Sequence, residues 1–488
     1  MFPFMHFLLT TAQKRGISLY IVGGFVRDIL LGRDSYDLDM VTTMNPRALG
    51  LEIAEHAGGH YFELNVEHAT SRIYLVHEGT DWEVDVGPLK GRNIMEDLQK
   101  RDFTVNAMGI SIEDFSRKKD WWNYVLDPTG GRTDLQKRLL RVTGEEALHK
   151  DPIRILRGIR LSSKLDFLIE EKTVQLFETN RALLSGVAGE RLKLEMGRLL
   201  EKPAARSFEQ MYHLQLMEEL LPPLGELMER SWKYYSPRGL EHSLLTLNYF
   251  ESITDDMPFP MHWEKMLQLY LDKKVKGGWK VRQILKLAAF LHNIVGYSAV
   301  PPDKNTGEVL QRKEAGYVRN YSRRLHMSRE EEKKLDRFVL YYIYPLWLYR
   351  VPHRTGGTLY GFYRALGTDT PGILLLSLVD YYALWDLLPA REKEYLPSPR
   401  EYKKFIDNLL YRYFFEEERY VRPPSLIAGS EIMDRLGIDE GPLVGWILEI
   451  IAEAQAEGTV TTRKEAIDLA KKEYRSIRNG KERIGRSV

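Results

Sequence analysis

Apolar and polar positions follow two rhythms along this chain. Up to about residue 140, short apolar runs bounded by turn residues alternate with stretches of helical period. Strands are predicted at Leu19–Val22, at Asp37-Leu38-Asp39, and at Tyr61–Leu64, Thr70–His77 and Asp81–Val86. Helices are predicted at Phe25–Leu31 and Pro46–Ala57. From about Ser231 the pattern turns helical and rich in aromatic residues, with Pro397-Ser398-Pro399 and Arg422-Pro423-Pro424-Ser425 reading as hinges. The expected fold is α+β: a head with a mixed sheet of about five strands and helices, then an all-α neck, body and tail. The divisions fall at 1–140, 141–230, 231–400 and 401–488. No internal repeat or low-complexity tract is visible.

Candidate chemistry begins where the first strand meets the first helix. Gly23 and Gly24 carry no Cβ to hold a phosphate away from the backbone. The following helix turns its N–H groups and positive dipole end toward that turn, which favours a triphosphate. Thirteen residues later, strand alternation puts Asp37 and Asp39 on one face. Paired carboxylates beside a phosphate cradle suit Mg²⁺, a hard cation that binds through a few carboxylates plus substrate phosphates. Glu83 and Asp85 repeat the i, i+2 spacing on a later strand, and either fits as a third acid. In His149–Arg160, Pro152 suits a helix start and Asp151 is placed to cap it. Asp151 and Arg154 then fall three apart on one helical face, with Arg157 continuing the row. A carboxylate beside a guanidinium fork offers acceptors and donors to the Watson–Crick edge of a base.

Composition adds limits. The 488 residues allow two to four domains, and 43% hydrophobic content can fill sizeable cores. The net charge of +1 leaves any argument about nucleic acid to local clusters. Lys137–Lys164 has eight basic residues against three acids, and Lys471–Val488 has seven against two. The first reads as an RNA-facing surface and the second as a disordered arm. With no cysteine, disulfides and thiolate metal sites are excluded. Met1–Leu9 lacks the marks of a signal peptide, and no apolar run approaches the ~18 residues of a membrane span. A cytoplasmic location is expected.

The joined Gly-Gly turn, Arg27-Asp28 and Asp37-Leu38-Asp39 resemble the catalytic core of the tRNA nucleotidyltransferase and bacterial poly(A) polymerase superfamily. Lys100-Arg101-Asp102-Phe103-Thr104-Val105-Asn106-Ala107 resembles that family's Arg-Arg-Asp-Phe-Thr-x-Asn-Ala motif, with Lys100 in place of the first Arg. Lys150-Asp151-x-x-Arg154 resembles its Glu-Asp-x-x-Arg motif, with Lys150 in place of the Glu. Gly189-Glu190-Arg191 resembles a further element, read as fixing the neck helices. The loop Val125–Arg132 is read as structural.

The resemblance implies metal-assisted transfer of C or A from CTP or ATP to a tRNA 3′ end, with release of pyrophosphate. Asp37, Asp39 and Glu83 would be catalytic, with Asp37 and Asp39 holding two Mg²⁺ ions. Gly23, Gly24, Arg27, Arg101, Asp102, Asn106, Asp151, Arg154 and Arg157 would bind the nucleotide. Relatives that make the whole CCA end carry a flexible loop before the Arg101 motif. Here Val86–Asp97 is short, which points to a CC-adding enzyme with a separate A-adding partner. Full CCA addition, A addition and poly(A) synthesis follow as alternatives. In the second half, His242, His292-Asn293 and Asp380 resemble the His … His-Asp … Asp pattern of HD phosphohydrolases. Asn293 stands where that pattern has a metal-bridging Asp, so the domain is expected to be a scaffold rather than a hydrolase.

Overall fold

The computed structural model describes residues 4–65, 70–201, 203–221, 239–256, 261–292 and 315–484. The chain divides into two compact units: Met1–Arg198 with Gln210–Glu219, and Leu199–Glu209 with Leu220–Val488.

The first unit is built on a mixed sheet of six strands, in the order β3-β4-β5-β2-β1-β6. These are β1 (Leu19–Val22), β2 (Asp37–Thr42), β3 (His60–Asn65), β4 (Thr70–His77), β5 (Thr80–Pro88) and β6 (Gly109–Ser111). The sixth strand, β6, is the one that the hydrophobic pattern does not announce. It has three residues, too few to display an alternation, and it pairs antiparallel with β1 through Ile21↔Ile110. The hairpin β4–β5 closes through Glu78 and Gly79, both at positive φ (50° and 76°), a conformation matching the right-handed twist of the strands it joins. β2 lies at the centre, antiparallel to β1 and parallel to β5. Its Leu38 and Met40 point into the core, so Asp37 and Asp39 take the opposite face.

The helix Pro46–Ala57 forms as expected. The Asn45 side chain caps it by accepting from the amides of Arg47 and Ala48, and Leu49 and Ile53 are fully buried. A second amphipathic helix, Arg154–Leu165, buries Ile155, Leu156 and Ile159. It approaches the segment that follows Arg101 closely because residue 158 is glycine. A Cβ there would stand 2.6 Å from Phe177 Cζ and 2.9 Å from Phe103 Cζ.

The elements of the second unit's described residues are helices, apart from an isolated antiparallel bridge between Lys274 and Lys280. Thr370–Leu387, apolar on every side, is buried along most of its length, as a central helix must be. It brings Asp380 to His242 of the Gly239–Asp256 helix and to His292 at the end of Val281–Leu291. Asp380 Oδ1 lies 3.0 Å from Nε2 of each histidine, and all three side chains are buried. His292 Nδ1 must donate to the carbonyl of Ala289 at 2.7 Å, since a carbonyl only accepts. Burial alone would raise Asp380, but the two imidazoles hold it down to about 2. Asn293 lies outside the described residues. Near the C-terminus, Ile432, Ile447, Ile451 and Ala466 form a separate small core. Over its described residues, 471–484, the basic end is not an irregular arm: it continues a helix, Arg463–Ile484, and residues 485–488 lie outside the described ones. Among the described residues, no helix is long and apolar enough to cross a membrane.

Candidate active site

Strand register assembles an acidic face. In the parallel β2–β5 pair, Asp37 stands opposite Glu83 and Asp39 opposite Asp85. Four carboxylates thus share one side of two neighbouring strands. Burial raises Asp37, and the charge of Asp85 raises it further. Asp39 is pushed up to about 7 by burial, then by Asp37 and Asp85. Glu83 is raised as well, chiefly by burial. Anions crowded in this way have the donor chemistry for a hard divalent cation.

Arg72 on β4 meets this face. Its register partner is Asp85, which it grips with two bonds, Nε to Oδ1 at 2.8 Å and Nη2 to Oδ2 at 2.7 Å. Its Nη1 also contacts the Glu83 carboxylate. The hydrophobic pattern gave Arg72 no special standing. The signal was the Glu78-Gly79 turn: counting outward from His77↔Thr80 pairs residue 72 with residue 85.

The Gly-Gly turn sits beside the acids. Gly23 has φ +76° and ψ −138°, and its amide donates to the carbonyl of Met108 at 3.1 Å. A Cβ on Gly23 would lie 3.0 Å from Asp39 Oδ2 and 3.3 Å from Arg101 Nη1. Only glycine fits this approach, and the approach places Arg101 next to Asp39. The helix after the turn is Gly24–Leu30, a little under two turns, so its dipole contribution is modest. Asp97, which sequence reasoning passed over, is buried and orients Arg101 at 3.1 Å while accepting from the Lys90 amide.

Four expected nucleotide contacts, Arg27, Asn106, Asp102 and Arg157, are engaged internally. Arg27 is buried, with both Nε and Nη2 on Asp28 at 2.8 Å and Nη1 on Asn106 Oδ1 at 2.6 Å. Asn106 donates onward to Asp102 at 3.2 Å. Asp102 accepts from the Phe103 amide and pairs with Arg157 at 2.7 Å. Burial would raise Asp102, but Arg157 and these hydrogen bonds lower it on balance. This chain of side chains ties the Gly-Gly helix to the Arg101 segment and to the Arg154–Leu165 helix.

Asp151 is not on that helix. It ends the preceding helix Glu145–Lys150 with φ −152°, and the Arg154–Leu165 helix has no side-chain cap. The cause is Pro152, which disfavours helical backbone at the residue before it. Asp151 instead pairs with Arg191 at 2.9 Å. Arg154 donates to the carbonyls of Lys100 and Arg101 at 3.2 to 3.3 Å. The basic run around them is also largely committed within the unit. Arg141 pairs with Asp134 and Glu170, Lys150 with Glu146, and Arg160 with Glu195. Lys137 and Arg138 are exposed.

The expected short interval is observed. β5 runs to Pro88 and the helix Ile94–Gln99 follows, so only residues 89–93 join them. Asn93 caps that helix by accepting from the Glu96 amide.

A six-stranded mixed sheet with an acidic pair beside a glycine turn is the head of a nucleotidyltransferase fold. Residues 19–141 match the family described as the poly A polymerase head domain. Residues 166–228 match the one described as the probable RNA and SrmB-binding site of polymerase A. An A-adding tRNA nucleotidyltransferase of Deinococcus radiodurans is 30% identical over 465 residues, covering 91% of this chain and 93% of that protein. A CC-adding tRNA nucleotidyltransferase of Geobacter sulfurreducens is 37% identical over 203 residues, 42% of this chain, and the match spans just under half (45%) of that relative. The Thermotoga maritima CCA-adding enzyme complexed with tRNA shares the fold, with TM-score 0.59, 21% identity, and 96% and 94% of the two chains covered. The chain belongs to the tRNA nucleotidyltransferase and poly(A) polymerase family.

Proposed function

We propose that this chain is a Mg²⁺-dependent nucleotidyltransferase that adds CC to tRNA 3′ ends. The observation that carries the reading is the convergence of Asp37, Asp39 and Asp85 beside the Gly23 turn and Arg101. In the reaction, the tRNA 3′-hydroxyl oxygen attacks the α-phosphorus of CTP. The bond to the bridging oxygen breaks, pyrophosphate leaves with the electron pair, and the hydroxyl proton passes to water. Asp37 and Asp39 are the residues that would hold Mg²⁺, which supplies the positive charge that activates the hydroxyl and steadies the leaving oxygen. Asp85 is our choice for the third acid over Glu83, because its charge bears on both Asp37 and Asp39.

The remaining residues bind and orient. The Gly23 backbone admits the triphosphate, and Arg101, aimed by Asp97, faces it. Arg27, Asn106, Asp102 and Arg157 hold these parts in position. Asp151, oriented by Arg191, and Arg154 are read as choosing the base. The five-residue connection 89–93 supports CC addition, since it leaves little chain to reshape the base pocket for A. CC-adding relatives include the Geobacter protein and one from Synechocystis, 26% identical over 453 residues. The exposed Lys137 and Arg138 are candidates for phosphate contacts with tRNA. A hydrolase reading of the helical unit has less support: the His242–His292–Asp380 cluster is buried, and residue 293 is Asn.

The test is incorporation of labelled CTP and ATP, separately and together, into tRNAs ending before CCA, after C and after CC. Synthesis that stops after CC is expected. A following C establishes full CCA addition instead, and addition only to the CC-ended tRNA makes this the A-adding partner.

A further inference from the structure

The acidic face carries its own counter-cation. Arg72 stands on the strand next to β5, directly across from Asp85, and fills both carboxylate oxygens through its fork. It reaches Glu83 with its remaining nitrogen and bonds the Tyr74 hydroxyl at 3.3 Å. Asp37 and Asp39, two strands from Arg72, have no side-chain ion pair of this kind among the described contacts. A carboxylate gripped at both oxygens keeps fewer lone pairs for a metal, and a guanidinium within 3 Å weakens its pull on a second cation. Asp85 therefore cannot serve both cations fully.

We propose that Arg72 competes with the divalent metal for Asp85, and so sets the cation concentration at which the acidic face fills. Without metal, the guanidinium neutralises the Glu83–Asp85 half of the face and keeps the sheet folded against its own repulsion. When metal binds, Arg72 gives up part of Asp85 and keeps Glu83. The two cations are then linked: each weakens the hold of the other. Arg72 is in this sense a positioning residue that acts through Asp85. The inference rests on the metal reading given above.

The experiment is Mn²⁺ binding to the full chain without nucleotide, followed by electron paramagnetic resonance, together with melting in EDTA and in Mn²⁺. Arg72→Gln is expected to bind Mn²⁺ about tenfold more tightly, and to melt lower than wild type in EDTA but not in saturating Mn²⁺. In an Asp85→Asn background the same substitution is expected to leave the Mn²⁺ affinity unchanged, because the contested ligand is gone. Arg72→Lys, which keeps the charge without the fork, is expected to show a smaller shift and serves if Arg72→Gln does not fold. Equal Mn²⁺ affinities for wild type and the Arg72 variants overturn the competition. So does an undiminished effect in the Asp85→Asn background, which would mark a general field. If neither wild type nor variant binds Mn²⁺, the metal reading of the face falls and the role of Arg72 with it.

Discussion

Asp39→Asn should stabilise the metal-free head while abolishing its chemistry. Asp39 ionises at about 7 in the folded chain, against 3.8 as its ordinary value, because burial and then Asp37 and Asp85 disfavour its charge. The unfolded chain releases that proton near 3.8, whereas the folded head keeps it until about 7. Between those values the folded state binds more protons, so its stability falls as pH rises from about 4 to about 7 and is level above. At about 1.36 kcal/mol per pH unit the full shift is worth roughly 4 kcal/mol, and partial exposure and coupling reduce this to about 2 kcal/mol. Asn cannot ionise and escapes the loss. Amide hydrogen exchange of β1, β2 and β5 in the full chain, corrected for intrinsic rates, reads the local stability. In EDTA the variant should be better protected, by a margin that grows between pH 5 and pH 8. In excess Mg²⁺ the order should reverse, since wild type gains binding energy that the variant lacks. CTP incorporation should fall roughly a thousandfold. A margin that is the same at pH 5 and pH 8, or a less protected variant in EDTA at pH 8, would refute the electrostatic account of this face.

Two other outcomes test neighbouring parts of the site. Gly23→Ala puts a Cβ 3.0 Å from Asp39 Oδ2 at a φ of +76°, and should cut kcat/KM for CTP at least about tenfold with tRNA affinity unchanged in filter binding. Arg191→Met removes the partner of Asp151, and should narrow the preference for CTP over ATP by roughly tenfold, read as the ratio of kcat/KM values. An unchanged ratio would remove Asp151 from base choice.

Local features of this chain were legible in the hydrophobic pattern, and cross-strand ones only by counting register outward from a turn. The Leu19–Val22 strand, the Gly-Gly turn and the Pro46–Ala57 helix each rest on neighbours in sequence, through apolar runs, a missing Cβ and an Asn cap. Arg72 and Asp85 meet only because a hairpin fixes their register, and a strand as short as Gly109–Ser111 has no periodicity to display. Asp151 shows a signal that was present but outweighed. Its spacing to Arg154 suggests one helical face, while Pro152 disfavours helical backbone at that residue, and the steric preference prevails. The basic run 137–164 resembled a phosphate-binding surface by count. Several of its guanidinium groups instead serve buried or half-buried carboxylates, a pairing that charge counting along a sequence cannot reveal.

The Gly23 amide is held by the carbonyl of Met108, and β1 is flanked by β6 on one side and β2 on the other. Asp37 and Asp39 come beside Glu83 and Asp85 only when β5 docks parallel to β2, after an intervening helix and hairpin. Contacts of such long sequence separation form late. On the ribosome, a nascent chain that has not yet released residue 111 therefore has neither a braced phosphate turn nor a closed sheet. Its unpaired β1 edge can pair with other chains instead. The order of synthesis thus leaves the sheet open at β1 until Gly109–Ser111 emerges, and leaves Asp102 and Asp151 without their partners until the helices carrying Arg157 and Arg191 have followed.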